Sequence, residues 1–150
     1  MRYVICLLFV AVFGSSAVAN DQIQTIESKY SVKESLDRLS AILTKKGIRV
    51  MARVNHAAGA KAAGLKLPPT ELLIFGNPKL GTPLMQTNRM IGLDLPMKVL
   101  AWQDKAGKVR LAYTTPAALQ ARHGVSGRDK IFATMTKALA GLTGKAAGAK

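Results

Sequence analysis

The apolar and polar positions alternate in distinct ways along the chain, and the changes of period mark the elements. Tyr3 to Phe13 is an almost unbroken apolar run and shows no amphipathic period. Past it, Ile23 to Glu27 reads as a short first strand. Ser31-Val32-Lys33-Glu34 has the spacing of a capping box, in which the Ser hydroxyl and the Glu side chain satisfy free N–H groups at a helix start. Val32, Leu36, Leu39 and Leu43 then fall on one helical stripe. Lys45 and Lys46 occupy the last turn, and Gly47 can take the left-handed stop. Ile48 to Val54 alternates apolar and polar, which is the period of a half-buried strand. A strand, a helix and a strand within about 30 residues predict a βαβ unit with parallel strands and a right-handed crossover.

Beyond this unit, Asn55 is a helix cap for the Ala- and Gly-rich stretch His56 to Gly64. Leu72 to Phe75 is short and continuously apolar, as a strand covered on both faces would be. Gly76 to Gly81 reads as a turn-rich loop. Thr82-Pro83 then gives an N-cap followed by Pro in the first helical turn, with a helix to about Met90. Met97 to Gln103 and Val109 to Thr114 predict two strands joined by the hairpin loop Asp104 to Lys108. Thr115-Pro116 opens a short helix that Arg122-His123-Gly124 closes, and Ser126 to Leu142 carries the last helical stripe. Gly144 to Lys150 contains only Gly, Ala and Lys, and reads as a disordered basic tail. The expected architecture is an α/β domain of the α+β type. It has a mixed sheet of about five strands with a parallel βαβ start, a late antiparallel hairpin, and helices packed on the sheet.

Composition changes this picture in two places. Arg2, the apolar run and Ala17-Val18-Ala19 together form a charged region, a short apolar core and a small-x-small cleavage site, the pattern of a secretory signal. A membrane-spanning helix needs about 20 apolar residues, and this run is shorter. The chain is thus expected to divide into a cleaved signal at 1–19, a single domain at 20–143 and the tail at 144–150, and to work in the periplasm or outside the cell. The one cysteine, Cys6, falls inside the signal. The remainder has no thiol for disulfides, zinc–thiolate sites or iron–sulfur clusters. It must therefore be held by one apolar core.

The second change is charge. The chain has 22 Lys and Arg against 8 Asp and Glu, a formal net charge of +14. Such a field favours small anions and loose contact with an anionic membrane surface. It does not predict a specific nucleic-acid partner, because the few aromatics do not alternate with basic residues as stacking platforms would.

One long string has a family resemblance. Ile74-Phe75-Gly76-Asn77-Pro78-Lys79-Leu80-Gly81-Thr82-Pro83-Leu84-Met85-Gln86 resembles the signature of domain-of-unknown-function family 302. Gly92-Leu93-Asp94-Leu95-Pro96, Tyr113, Arg122-His123-Gly124 and His56 stand where that family has them. The resemblance runs from about Ile26 to Phe132. It implies a compact α/β fold and self-association as a homodimer, and it implies no activity. The sequence departs from the pattern at Asn55, where Asp is common, at Thr114-Thr115, where Asn-Asp is common, and at Arg89.

Candidate chemistry is sparse. If the strands ending at Val54 and Phe75 are parallel neighbours, the loops after them share one rim, where ligands of open sheets gather. Asn55, His56, Asn77, Lys79 and Thr82 would then surround one anion-friendly pocket, with Tyr113 and His123 as further candidates. Each also has a plainer reading. His56 decorates a helix start, His123 complements a helix dipole, and Tyr113 belongs to a strand surface. The methionines read as packing, since no M-x-x-M cluster of soft-metal thioethers occurs. No G-x-S-x-G elbow, P-loop or H-E-x-x-H is present, and no metal or cofactor is expected. Three readings stay open: an exported binding or accessory domain, a small hydrolase or isomerase with His56 or His123 as general base, and an interaction protein with a basic face.

Overall fold

The computed structural model describes residues 22–149. The secretory signal expected at 1–19 lies outside the described residues. Five strands form a single sheet: β1 (Ile23–Ser28), β2 (Arg49–Asn55), β3 (Thr70–Gly76), β4 (Met97–Gln103) and β5 (Val109–Thr114). Their order across the sheet is β1-β5-β4-β3-β2. The helices are α1 (Val32–Lys45), α2 (His56–Ala62), α3 (Pro78–Thr87), α4 (Pro116–Arg122) and α5 (Asp129–Ala147), with a short 3-10 helix at Arg89–Leu93.

Every neighbouring pair in the sheet is antiparallel. This corrects the expected parallel βαβ start. β1 and β2 do run in the same sense, but they are not neighbours: the connection through α1 carries the chain from one edge of the sheet to the other, and β5, β4 and β3 fill the gap. The α+β class and the late hairpin stand.

Alternation on the central strands is clean. Leu73 and Phe75 of β3, Met97, Val99 and Ala101 of β4, and Leu111 and Tyr113 of β5 are buried and point to the side covered by α1 and α5. Leu36, Leu39 and Leu43 of α1 pack into the same core with Phe132, Met135, Leu139 and Leu142 of α5. The opposite positions, Leu72, Ile74, Leu100 and Trp102, are only half-buried. β3 is therefore covered on one face and not on both.

Local chemistry explains most element boundaries. The Ser31 hydroxyl accepts from Glu34 N at 3.2 Å and caps α1, and Gly47 closes it at φ +66. The register of β2 slips between Val50 and Ala52, making Met51 a β-bulge. The extra residue moves the strand's remaining side chains to the other face. Val50 opposes Phe75 on the helix side, while Ala52 and Val54 oppose Ile74 and Leu72 on the open side. The single unbroken alternation expected for this strand is corrected accordingly. Arg53 is placed beneath α1, where it donates to Asp37, to Glu71 at 2.6 Å and to the Lys33 carbonyl at 3.1 Å.

Two further expectations are corrected. α3 starts at Pro78, five residues before the expected first helical residue Pro83. The Asn77 side chain accepts from Lys79 N at 3.0 Å as the cap, and Pro83 lies inside the helix. The Asn-Pro pair is thus a helix start, with Pro at the first helical position where its missing N–H costs nothing. At the other end, the residues assigned to a disordered tail continue α5 to Ala147, with Gly148 as its left-handed stop. Ala146 and Ala147 are fully buried. Lys29 N donates to the Ala147 carbonyl at 3.0 Å, and Arg38 donates to the Ala146 carbonyl at 3.2 Å while its guanidinium stacks on Tyr30 at 4.0 Å.

Candidate functional site

The antiparallel pairing decides where the expected site residues fall. Asn55 at the end of β2 opposes Glu71 at the start of β3, and Gly76 at the end of β3 opposes Arg49 at the start of β2. Asn55 and His56 therefore sit at one rim of the sheet and Asn77, Lys79 and Thr82 at the other. The grouping of all five around one pocket required parallel strands, and the structure does not bring them together.

At the first rim, the Asn55 side chain accepts from Ala58 N at 2.8 Å, so it caps α2. His56 is exposed. Beside them a wide, open groove runs along α2 and the Leu65–Pro69 connector.

The second rim is more enclosed. A cavity of about 420 Å³ opens there and is lined almost entirely by apolar side chains. Its floor is core: Phe75, Met97, Met135, Leu139 and Leu142 both line the cavity and are buried. One wall is α3 and the turn before it, with Gly76, Asn77, Gly81, Thr82 and Met85. The facing wall is Leu95-Pro96, whose peptide bond is cis, and the bulge residue Met51 stands at the edge. Two glycines lie on the first wall, and only at Gly76 would a side chain press on the facing one. A Cβ on Gly76 would meet the Pro96 Cβ at 3.2 Å, and one on Gly81 would reach Leu95 Cδ1 at 3.7 Å. Of the expected site residues, Asn77 and Thr82 line this cavity. Lys79 is exposed on the same helix.

His123 belongs to a polar latch at the same rim. Its Nε2 lies 2.7 Å from Asp94 Oδ2, which also accepts from Arg122 Nη1 at 3.0 Å. Asn88 Nδ2 donates to the His123 carbonyl at 2.7 Å, and the Asn88 carboxamide oxygen caps the 3-10 helix through Met90 N. The hydrogen bond from His123 and the Arg122 guanidinium hold the Asp94 carboxyl below the usual carboxylate range, against an opposing effect of burial. Asp94 immediately precedes Leu95 and Pro96, so the latch fixes one cavity wall. Tyr113 is buried in the sheet and shares a hydrogen bond with Thr143; burial pushes its phenol up in pKa. Among the described residues no group of three or more His, Cys, Asp or Glu is arranged to hold a metal ion.

What sequence reasoning missed was the cavity itself. Its signal in the sequence lies in the apolar members of the Ile74–Gln86 string, Leu80 and Met85 in particular, which line it.

The family model described as "Domain of unknown function DUF302" matches residues 24–142. The chain belongs to this family. As a DUF302 protein it is similar to a crystal structure of an uncharacterised conserved DUF302 protein from Bacillus stearothermophilus, with a TM-score of 0.74 over 83% of this chain and 97% of that one, at 21% identity. That likeness carries the fold. It is also 50% identical over 123 residues to "Fluoride-specific ion channel FluC 1" of Brucella suis and to the protein of the same name from Brucella abortus. The match covers 81% of this chain but 48% and 46% of those two proteins. The chain thus spans about half the length of these relatives. No described helix of the DUF302 domain is long and apolar enough to cross a membrane.

Proposed function

We propose that this DUF302 domain is an exported binding or accessory domain, and that its site is the apolar rim cavity, which takes a small and largely apolar ligand. One observation carries the reading: the string on which the family resemblance rests folds into the wall of a cavity of about 420 Å³ whose floor is the hydrophobic core. Ligand sites are typically concave, mostly apolar, with a few polar groups that fix orientation, and run from about 300 to 1,000 Å³. Here Asn77 and Thr82 are the polar members. The anion-centred site expected from the loops is replaced in this proposal by an apolar one, because the lining offers few polar groups and His56 is at the far rim.

The test is binding of a neutral fluorescent probe such as N-phenyl-1-naphthylamine, compared with Gly81→Leu. That substitution sits inside α3, improves helix propensity and adds a side chain on the wall facing Leu95. Enhanced fluorescence in the wild type and its loss in the variant, with an unchanged melting point, support the reading. Equal fluorescence in both would remove the cavity as the site.

A second reading is favoured by the half-length match. In it, the domain is an accessory unit that works beside an ion channel of the kind those relatives are named for. Deleting the coding sequence and challenging cells with fluoride tests it. Unchanged tolerance removes this reading and leaves the cavity proposal standing.

A further inference from the structure

The described residues contain methionine at positions 51, 85, 90, 97 and 135, and four of these five line the rim cavity. They arrive from four different elements: Met51 from the bulge of β2, Met85 from α3, Met97 from the first position of β4 and Met135 from α5. No sequence spacing connects them, which is why they read as scattered packing. Leucine fills such positions with better defined rotamers, and flexible methionine is normally a sparing choice. Concentrating thioethers on one cavity therefore calls for a chemical reason.

The depth of the four is graded. Met97 and Met135 are buried at the floor with 8% and 6% exposure, Met85 is half-buried, and Met51 at the mouth is 45% exposed. The lining holds no His, Cys, Asp or Glu; its oxygen-bearing side chains are Asn77, whose Oδ1 caps α3, and Thr82, so thioethers are its most numerous donors. Thioethers are soft ligands, and soft ligands select Cu(I) and its analogues. They also carry no proton to lose, unlike thiol or imidazole ligands.

We infer that this cavity binds a soft monovalent cation of the Cu(I) or Ag(I) type through at least three thioethers drawn from Met51, Met85, Met97 and Met135. The inference rests on the cavity being the site, and it does not require the organic ligand. Met51 meets the ion at the mouth, and the floor thioethers hold it out of water.

Ag(I), and Cu(I) kept reduced and buffered by bicinchoninate, are titrated into the purified protein, into Met97→Leu/Met135→Leu and into His56→Ala. Leucine for methionine is nearly volume-conserving, so the fold is expected to survive, with a cost below about 1.5 kcal/mol per site, and a melting curve checks this. Loss of groups that only support a metal ligand already weakens binding about 10–100-fold, so loss of two ligands weakens it at least about tenfold. His56→Ala binds as the wild type does, and affinity stays level from about pH 5 to 8, where an imidazole site would titrate. Wild-type affinity retained in the double leucine variant would overturn the inference, as would a wild type that fails to compete with bicinchoninate. If the metal fails while the neutral probe still binds, the soft-cation inference falls alone. If both fail, the cavity reading falls with it.

Discussion

Asp94 is the joint of the latch that fixes the Leu95-Pro96 wall, and Asp94→Ala tests what that joint contributes. The carboxylate oxygen Oδ2 meets His123 Nε2 at 2.7 Å and Arg122 Nη1 at 3.0 Å, with the His123 side chain only 9% exposed and that of Asp94 23% exposed. A hydrogen bond to a charged group contributes about 1.5–3 kcal/mol. The Arg122 contact is nearer the surface and adds little, since exposed ion pairs contribute about 0–1 kcal/mol. The expected loss is therefore about 2 kcal/mol, most of it from leaving the His123 ring nitrogen without its partner. With an unfolding entropy of about 2.1 cal/mol/K per residue, the melting point falls by about 7 °C.

The effect also has a pH signature. The folded-state carboxyl of Asp94 lies below its ordinary value. Its contribution is thus complete above the unfolded pKa of about 3.9 and is lost as pH falls through the lower folded value. Wild type and variant should differ fully at neutral pH and converge in acid. Urea unfolding at pH 7 and at successively lower pH reads both quantities. A difference under about 0.5 kcal/mol at pH 7, the scale of an inert surface change, would refute the latch, as would a gap that does not narrow on acidification.

Other outcomes follow from the same structure. Truncation after Thr143 removes the buried Ala146 and Ala147 and the Lys29–Ala147 hydrogen bond, so it should lower the urea midpoint markedly. Leu36→Ala, at a site with no exposure on the sheet side of α1, should cost about 3–5 kcal/mol by chemical denaturation. Arg53→Met should loosen the edge strand β2 and raise amide exchange there, because Asp37 and Glu71 lose a shared partner. Hydrogen bonds from Lys33 and Arg53 hold the Asp37 carboxyl below its ordinary range. Stability that depends on it is present above about pH 4 and is lost in acid, so the Arg53→Met deficit should shrink there.

Much of the fold was legible because its signals are local. The helical stripe of α1, the Ser31, Asn55 and Thr115 caps and the Asp104–Lys108 hairpin each depend on residues a few positions apart. Strand order is not local. A strand, a helix and a strand look alike whether the second strand lands beside the first or at the far edge, and here the three intervening places are taken by β3, β4 and β5, all later in the chain. A second non-local relation, the orientation of β3 against β2, decides the site: Asn55 and Asn77 would share a rim only if these two strands were parallel, and they pair antiparallel. The Gly-Ala-Lys end of the chain was misread for a different reason. Small residues signal disorder when free and close packing when covered, and residues more than 100 positions earlier, Lys29, Tyr30 and Arg38 among them, decide which applies.

The pairing of β1 with β5 joins Ile23 to Thr114 and Ser28 to Val109, the two ends of the domain's strand sequence. A chain emerging amino end first, from a ribosome or through a translocation pore, has its first strand waiting with no partner until the last one arrives. Its first helix is meanwhile without most of the floor it packs on. Such wiring makes premature compaction costly and postpones closure of the sheet until nearly the whole domain is free.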